Sequence, residues 1–251
     1  MTDVRIFLNG CNGRMGKVIT EICSQQDGII IVAGADANTA TSTYPVYASA
    51  LDCKEEFDVI LDFSHVLALP VVLKLAEEKH KPLVMCTTGL SENDKASLRS
   101  LSEKTAVFYS ANMSLGVNLL IALAQKAAAV LYPDFDIEIV EAHHNQKLDA
   151  PSGTALMIAD AINASLDDPL EYVYDRHSTL KKRAKTELGL HSIRGGSIVG
   201  DHSVIFAGPE EVITLSHSAQ TRNVFARGAV AAARFICGKP AGLYSMKDLM
   251  S

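Results

Sequence analysis

Residues able to carry acid-base chemistry gather in one short stretch: His143-His144, then Lys147, then Ser152-Gly153-Thr154. Histidine titrates near neutrality, and a neighbouring ammonium biases its proton toward donation, so His143 and Lys147 could converge on a reacting group. Ser152-Gly153-Thr154 opens an apolar stretch of helical spacing, and the unsatisfied N–H groups of a first helical turn suit a carboxylate. Together these features describe an anionic-substrate pocket beside a proton donor; two core or surface histidines are the alternative. The preceding Ile137-Glu138-Ile139-Val140-Glu141-Ala142 alternates as a strand, whose successive side chains point to opposite faces. His143 and His144 are then poorly placed to chelate one ion, and no metal site is expected.

A second cluster suits phosphate. Gly10-Cys11-Asn12-Gly13-Arg14-Met15-Gly16 follows the short apolar run from Arg5 to Leu8 and leads into a helix marked by Met15, Val18, Ile19 and Ile22. Glycines let the backbone approach a pyrophosphate, and the first helical turn then binds the anion. The spacing is G-x-x-G-x-x-G and not the commoner G-x-G-x-x-G. Asp36 ends the next apolar run, where a carboxylate can hydrogen-bond an adenosine ribose. A plain glycine-rich turn followed by a surface aspartate is the alternative.

The elements that must position these residues follow from periodicity. Ile29–Ala35, Val59–Phe63, Leu83–Cys86 and Ala106–Tyr109 are short apolar runs expected of strands covered on both faces. Between them, Pro70–Lys79 has helical spacing, and Ser91-Glu92-Asn93-Asp94 supplies a cap and acidic first turn for a helix through Leu101. This alternation predicts an α/β fold with a Rossmann-like, doubly wound parallel sheet. After Asn112 the pattern changes to a long helix over Leu115–Leu131, a strand over Phe135–Ala142 and a helix over Ser152–Ala164. Strand-like runs then crowd His191–Ser218, among them Ser203–Phe206 and Val212–Leu215. They imply a second, α+β domain with a mixed or antiparallel sheet. Phe225–Cys237 is helical again, and Tyr244–Met250 forms a short tail.

Composition narrows the function classes. With 251 residues, 48% of them hydrophobic, the chain can bury a sizeable core. A net charge of −6 gives no general attraction to nucleic acid or to an anionic membrane, and Lys181-Lys182-Arg183 is expected to be a solvated loop. Cys11, Cys23, Cys53, Cys86 and Cys237 are odd in number and form no C-x-x-C pair, which argues for a reducing cytoplasm. No secretory leader and no membrane-length apolar run are evident, so a cytoplasmic protein is expected. His65, His80, His177 and His191 are expected to be solvated or structural; His202 and His217 are given no role.

Glu141-Ala142-His143-His144, Lys147 and Asp149-Ala150-Pro151-Ser152-Gly153-Thr154-Ala155 resemble the signature of the 4-hydroxy-tetrahydrodipicolinate reductase (dihydrodipicolinate reductase) family. Gly13-Arg14-Met15-Gly16, Asp62-Phe63-Ser64, Thr87-Thr88-Gly89, Ala111-Asn112 with Ser114-Leu115-Gly116-Val117-Asn118, and Arg194-Gly195-Gly196 with Val199-Gly200-Asp201-His202 are also similar to family motifs in order and spacing. The resemblance spans nearly the whole chain.

It implies a dinucleotide-binding domain of residues 1–113 and 222–251, and a substrate and oligomerisation domain of residues 114–221 built on an open mixed sheet, associating as a homotetramer. It further implies hydride transfer from NADH or NADPH to a cyclic dicarboxylate in lysine and diaminopimelate synthesis. His143 would be the general acid, Lys147 its support and a substrate ligand, and His144, Gly153 and Thr154 would hold carboxylates. The cofactor would lie on Gly10, Cys11, Asn12, Gly13, Arg14 and Met15, on Asp36, on Cys86-Thr87-Thr88 and on Ser110-Ala111-Asn112-Met113. Cys86, Cys11, Asn12 and Met113 depart from the family pattern, and the two thiols are expected to be packing residues. Asp36 followed by Ala37, with no adjacent arginine, favours NADH while leaving NADPH usable. A nonenzymatic dinucleotide sensor would not need His143, Lys147 and the Ser-Gly-Thr turn together, whereas a reductase of another small acid would be separated by its rates.

Overall fold

Alternation within the N-terminal strands resolves into two buried faces. Ile6 and Leu8 point into one apolar cluster, and Phe7 between them points into another. A computed structural model describes residues 3–40 and 42–251. The chain divides into two compact units, Met1–Leu115 with Asn223–Ser251, and Gly116–Arg222.

In the first unit the strands are β1 (Val4–Asn9), β2 (Ile29–Ala35), β3 (Val46–Tyr47), β4 (Val59–Asp62), β5 (Leu83–Met85), β6 (Ala106–Tyr109) and β12 (Gly242–Tyr244). They form one sheet in the order β12-β6-β5-β4-β1-β2-β3, with every pair parallel. Helices α1 (Arg14–Ser24) and α6 (Asn223–Ile236) cover one face. Helices α2 (Leu69–Lys79) and α3 (Glu92–Ser102) cover the other. This is the doubly wound sheet expected from the sequence. The strand order reverses between β1 and β4, so a ligand crevice is expected outside their carboxyl ends. The α3 start is fixed as the sequence implied: the Ser91 hydroxyl accepts the Asp94 N–H, and the Asp94 carboxylate accepts the Ser91 N–H.

The second unit begins with α4 (Leu115–Leu131), continues through β7 (Asp136–His143), α5 (Gly153–Asn163), β8 (Glu171–Val173), β9 (Glu187–Arg194) and β10 (Asp201–Ala207), and ends with β11 (Val212–Ser218). The sheet order is β11-β10-β7-β9-β8. Pairs β7/β9 and β8/β9 are parallel, and β7/β10 and β10/β11 are antiparallel, so the sheet is mixed. One face packs on α4 and α5 through Ile137, Ile139, Leu188, Leu190, Val204 and Phe206. Continuing up that face, the next rows are no longer apolar: Glu141 is paired with Ser192 and His202, and His143 with Arg194. On the opposite face Arg183 bridges Asp136 and Glu138 and binds three backbone carbonyls. Lys181 pairs with Glu187. Two members of the basic triplet, Lys181 and Arg183, are thus paired with carboxylates of β7 and β9, while Lys182 is exposed in the loop before β9. Among the described residues no helix is long and apolar enough to cross a membrane.

Candidate active site

The first unit gathers a set of backbone and carboxylate groups at its strand ends. Gly10 has a φ of 80°, and a side chain there would meet the Phe63 carbonyl at 2.5 Å; only glycine permits this turn. Gly16 lies so close under the loop that a Cβ would meet the Gly10 and Cys11 carbonyls at 2.3 and 2.4 Å. The loop is thus folded back tightly onto α1, leaving Gly13 and Arg14 exposed at the helix start. Asp36 accepts the Asn12 N–H at 3.0 Å and the Asn38 N–H at 2.9 Å. The Asn12 amide donates to the Asn38 and Ala40 carbonyls, tying the loop after β2 to the phosphate loop.

At the reversal point Asp62 is buried and accepts hydrogen bonds from Asn9 at 2.7 Å, Ser64 at 2.6 Å and Thr87 at 2.6 Å. Burial pushes its carboxyl above the usual range, against these donors. A cleft of about 760 Å³ opens beside these groups, lined among others by Gly10, Gly13, Asp36, Ser49, Phe63 and Ser64.

The second unit builds its site on the two polar rows of the sheet. The His143 Nδ1 lies 2.6 Å from Glu141 Oε2. Arg194 grips the same carboxylate with both terminal nitrogens, at 2.9 and 2.7 Å, and the Ser152 N–H donates to Glu141 Oε1 at 3.2 Å. Burial alone would raise the Glu141 carboxyl. The Arg194, Ser192 and His143 hydrogen bonds outweigh it and hold the group down near 2, so Glu141 is ionised. The His143 ring meets His202 edge-on, with centroids 5.2 Å apart. His202 Nε2 is 3.0 Å from the Ser152 hydroxyl, which caps α5 by accepting the Ala155 N–H. Burial, then the His143 imidazole, push His202 down to about 4; it is neutral, and its Nδ1 has no hydrogen-bond partner among the described residues. A methyl group at Gly200 would lie 3.0 Å from His143 Nε2, so a side chain there would crowd that nitrogen.

Lys147 pairs with Asp149 at 2.8 Å, and its N–H bonds the His144 carbonyl. His143 and Lys147 are therefore each held by their own carboxylate. Gly153 is exposed at the first turn of α5, where a side chain would meet nothing within 4 Å. This end of the sheet thus holds a proton-bearing ring, a lysine and an open helix start, which together suit protonation of a bound carboxylate-bearing molecule.

Sequence models of the dihydrodipicolinate reductase N-terminus and C-terminus match residues 4–113 and 116–250. The chain belongs to the dihydrodipicolinate reductase family. The 4-hydroxy-tetrahydrodipicolinate reductase of Caldanaerobacter subterraneus subsp. tengcongensis is 52% identical over 247 residues, covering 98% of each chain. That of Clostridium botulinum is 49% identical over 248 residues, with 98% of each covered. Among solved structures, dipicolinate-bound dihydrodipicolinate reductase from Paenisporosarcina sp. TG-14 matches with a TM-score of 0.83 and 25% identity, over 97% of this chain and 98% of that one.

Within this dihydrodipicolinate reductase fold, Gly10, Gly13 and Asp36 line the cleft of the first unit. Cys11 is buried beneath it, 2.7 Å from where a Cβ on Gly34 would stand. Cys86 and Met113 are core residues in the same apolar cluster. Burial raises the Cys11 thiol to about 11 and Cys86 well above its usual value, as packing thiols require. Met15 is half-buried and packs against that cluster, while Thr88 and Ala111 are exposed. Thr87 is committed to Asp62, and Ser110 bonds the Asn112 carbonyl. Residue-by-residue reading missed Glu141, Arg194 and His202 as partners of His143. It also missed Ser49 and His65 at the cleft. Glu141 could have been found, since it is two residues from His143 and shares its strand face.

Proposed function

We propose that the chain reduces 4-hydroxy-tetrahydrodipicolinate to tetrahydrodipicolinate in lysine and diaminopimelate synthesis, with His143 as proton donor. The bond from His143 Nδ1 to an ionised Glu141, with no side chain at Gly200 to crowd Nε2, carries this reading. Glu141 can only accept, so the ring donates to it through Nδ1, and a proton bound at Nε2 is the one available for transfer. Lys147 and the exposed start of α5 at Gly153 and Thr154 supply charge and N–H donors for the two carboxylates, with His144 on the adjoining turn. Water leaves with the 4-hydroxyl, and the ring carbon that does not receive hydride takes the proton.

A nicotinamide dinucleotide fits the first unit: Gly10 and Gly13 leave the room that side chains would fill, and Asp36 faces the same cleft. When bound it supplies the hydride. Gly10 to Met15 would receive the pyrophosphate, and each Asp36 oxygen, holding one backbone N–H, keeps a lone pair for the ribose. A 2′-phosphate would meet that fixed carboxylate with Ala37 in place of a counter-ion, so NADH is preferred over NADPH. As the family resemblance implies, the sheets of four second units would associate into a homotetramer.

The test is a coupled assay that generates the unstable substrate from pyruvate and aspartate semialdehyde while following NADH oxidation. His143→Gln is expected to lower kcat by roughly 10²- to 10⁴-fold with little change in KM. Wild-type kinetics in a folded variant would remove His143 from the role.

A further inference from the structure

As proton donor, the buried His143 ring must present one particular nitrogen to the substrate. We propose that Glu141 is its positioning residue: clamped by Arg194 and by the Ser152 amide, the carboxylate fixes the His143 ring so that only Nε2 can hand over a proton. The proposal rests on that reading of His143.

Three observations carry it. Glu141 receives donors from three segments: His143 on its own strand, both terminal nitrogens of Arg194 on β9, and the Ser152 N–H at the cap of α5. A carboxylate so held cannot rotate away without unpairing a half-buried guanidinium. It also tells the ring which tautomer to adopt, since an ionised carboxylate accepts and never donates. Finally, Ser152 is the residue that starts α5, so one side chain ties the donor ring to the helix start proposed to hold a substrate carboxylate. Proton donor and carboxylate-binding turn are thereby set at a fixed separation within the second unit.

The charged and titratable groups facing His143 are Glu141, Arg194 on β9 and His202 on β10, with Asp201 and His217 beyond His202, and Lys147 paired to Asp149 in the following turn. His202 is neutral above about 4, so it does not produce a limb in the pH profile near neutrality.

A purely structural ion pair and a positioning residue differ in three readouts. In the unsubstituted protein, ¹⁵N spectra of the His143 ring are expected to show the neutral form protonated at Nδ1; an Nε2–H tautomer would overturn the proposal without any variant. Glu141→Gln, which keeps the shape and can still bond Arg194 only through its carbonyl, is expected to lower kcat about 10- to 100-fold. The KM values for NADH and substrate should stay near wild type, and the alkaline limb of kcat should move to lower pH as the imidazolium loses its carboxylate. A folded Glu141→Gln with wild-type kcat and an unmoved limb would overturn it. His143→Gln, run beside it, separates the two ideas. If that variant is fully active the donor assignment fails; if it is inactive while Glu141→Gln is unimpaired, the positioning role alone fails.

Discussion

Asp36 shows what one side chain decides. Its two oxygens are fixed by backbone amides of Asn12 and Asn38, so the carboxylate cannot swing aside for a 2′-phosphate, and the exposed Ala37 beside it offers no compensation. Ala37→Arg is expected to improve kcat/KM for NADPH by about 10-fold or more, and that for NADH much less, through a charge-assisted contact only the phosphate can use. Titrating both cofactors at saturating substrate checks this; equal gains, or a wild-type preference for NADPH, would point to Arg14 or Lys17 as the dominant phosphate ligand. Asp36 and the glycines were legible in the sequence because a strand, a tight turn and a helix lie consecutively along the chain. Arg194 was not. It stands 53 positions from Glu141, and only the parallel pairing of two strands brings it to His143; no local pattern encodes that pairing.

At the level of elements, the junction of β10 with the cap of α5 ties stability to pH. His202 is buried with its pKa down near 4, below the 6.5 of a free imidazole. The folded state therefore binds its proton less readily than the unfolded state, and the stability present above about 6.5 is lost as pH falls toward about 4. Glu141, held near 2 against an ordinary 4.5, adds a further loss below that window. Thermal unfolding should accordingly show a midpoint that declines through the His202 window, and His202→Asn should flatten the decline; an equally steep fall in the variant would exonerate His202. The long elements α4, α5, β7 and α6 were legible because each repeats its period several times. Strands β3, β8 and β12 have two or three residues apiece, too few to show an alternation, and they exist because a neighbouring strand offers its edge.

For the whole molecule, the discontinuity of the first unit was legible only through family resemblance, since nothing local in Phe225–Cys237 says which core it joins. The helix α6 buries Ala226, Ala229, Val230, Ala233 and Ile236 against the sheet of the first unit. Val230 and Ile236 alone each withdraw a side chain worth roughly 1.5–3 kcal/mol. The second unit is one continuous run, Gly116–Arg222, and is synthesised whole before the helix α6 that helps to cover one face of the first unit's sheet. The later part of the chain is thus the first able to finish folding, and the earlier part waits, one flank of its sheet uncovered, for residues made last. A chain ended at Arg222 should then yield a protease-resistant fragment of the second unit, with the first unit cut rapidly; protection of both would show that the first sheet closes without α6.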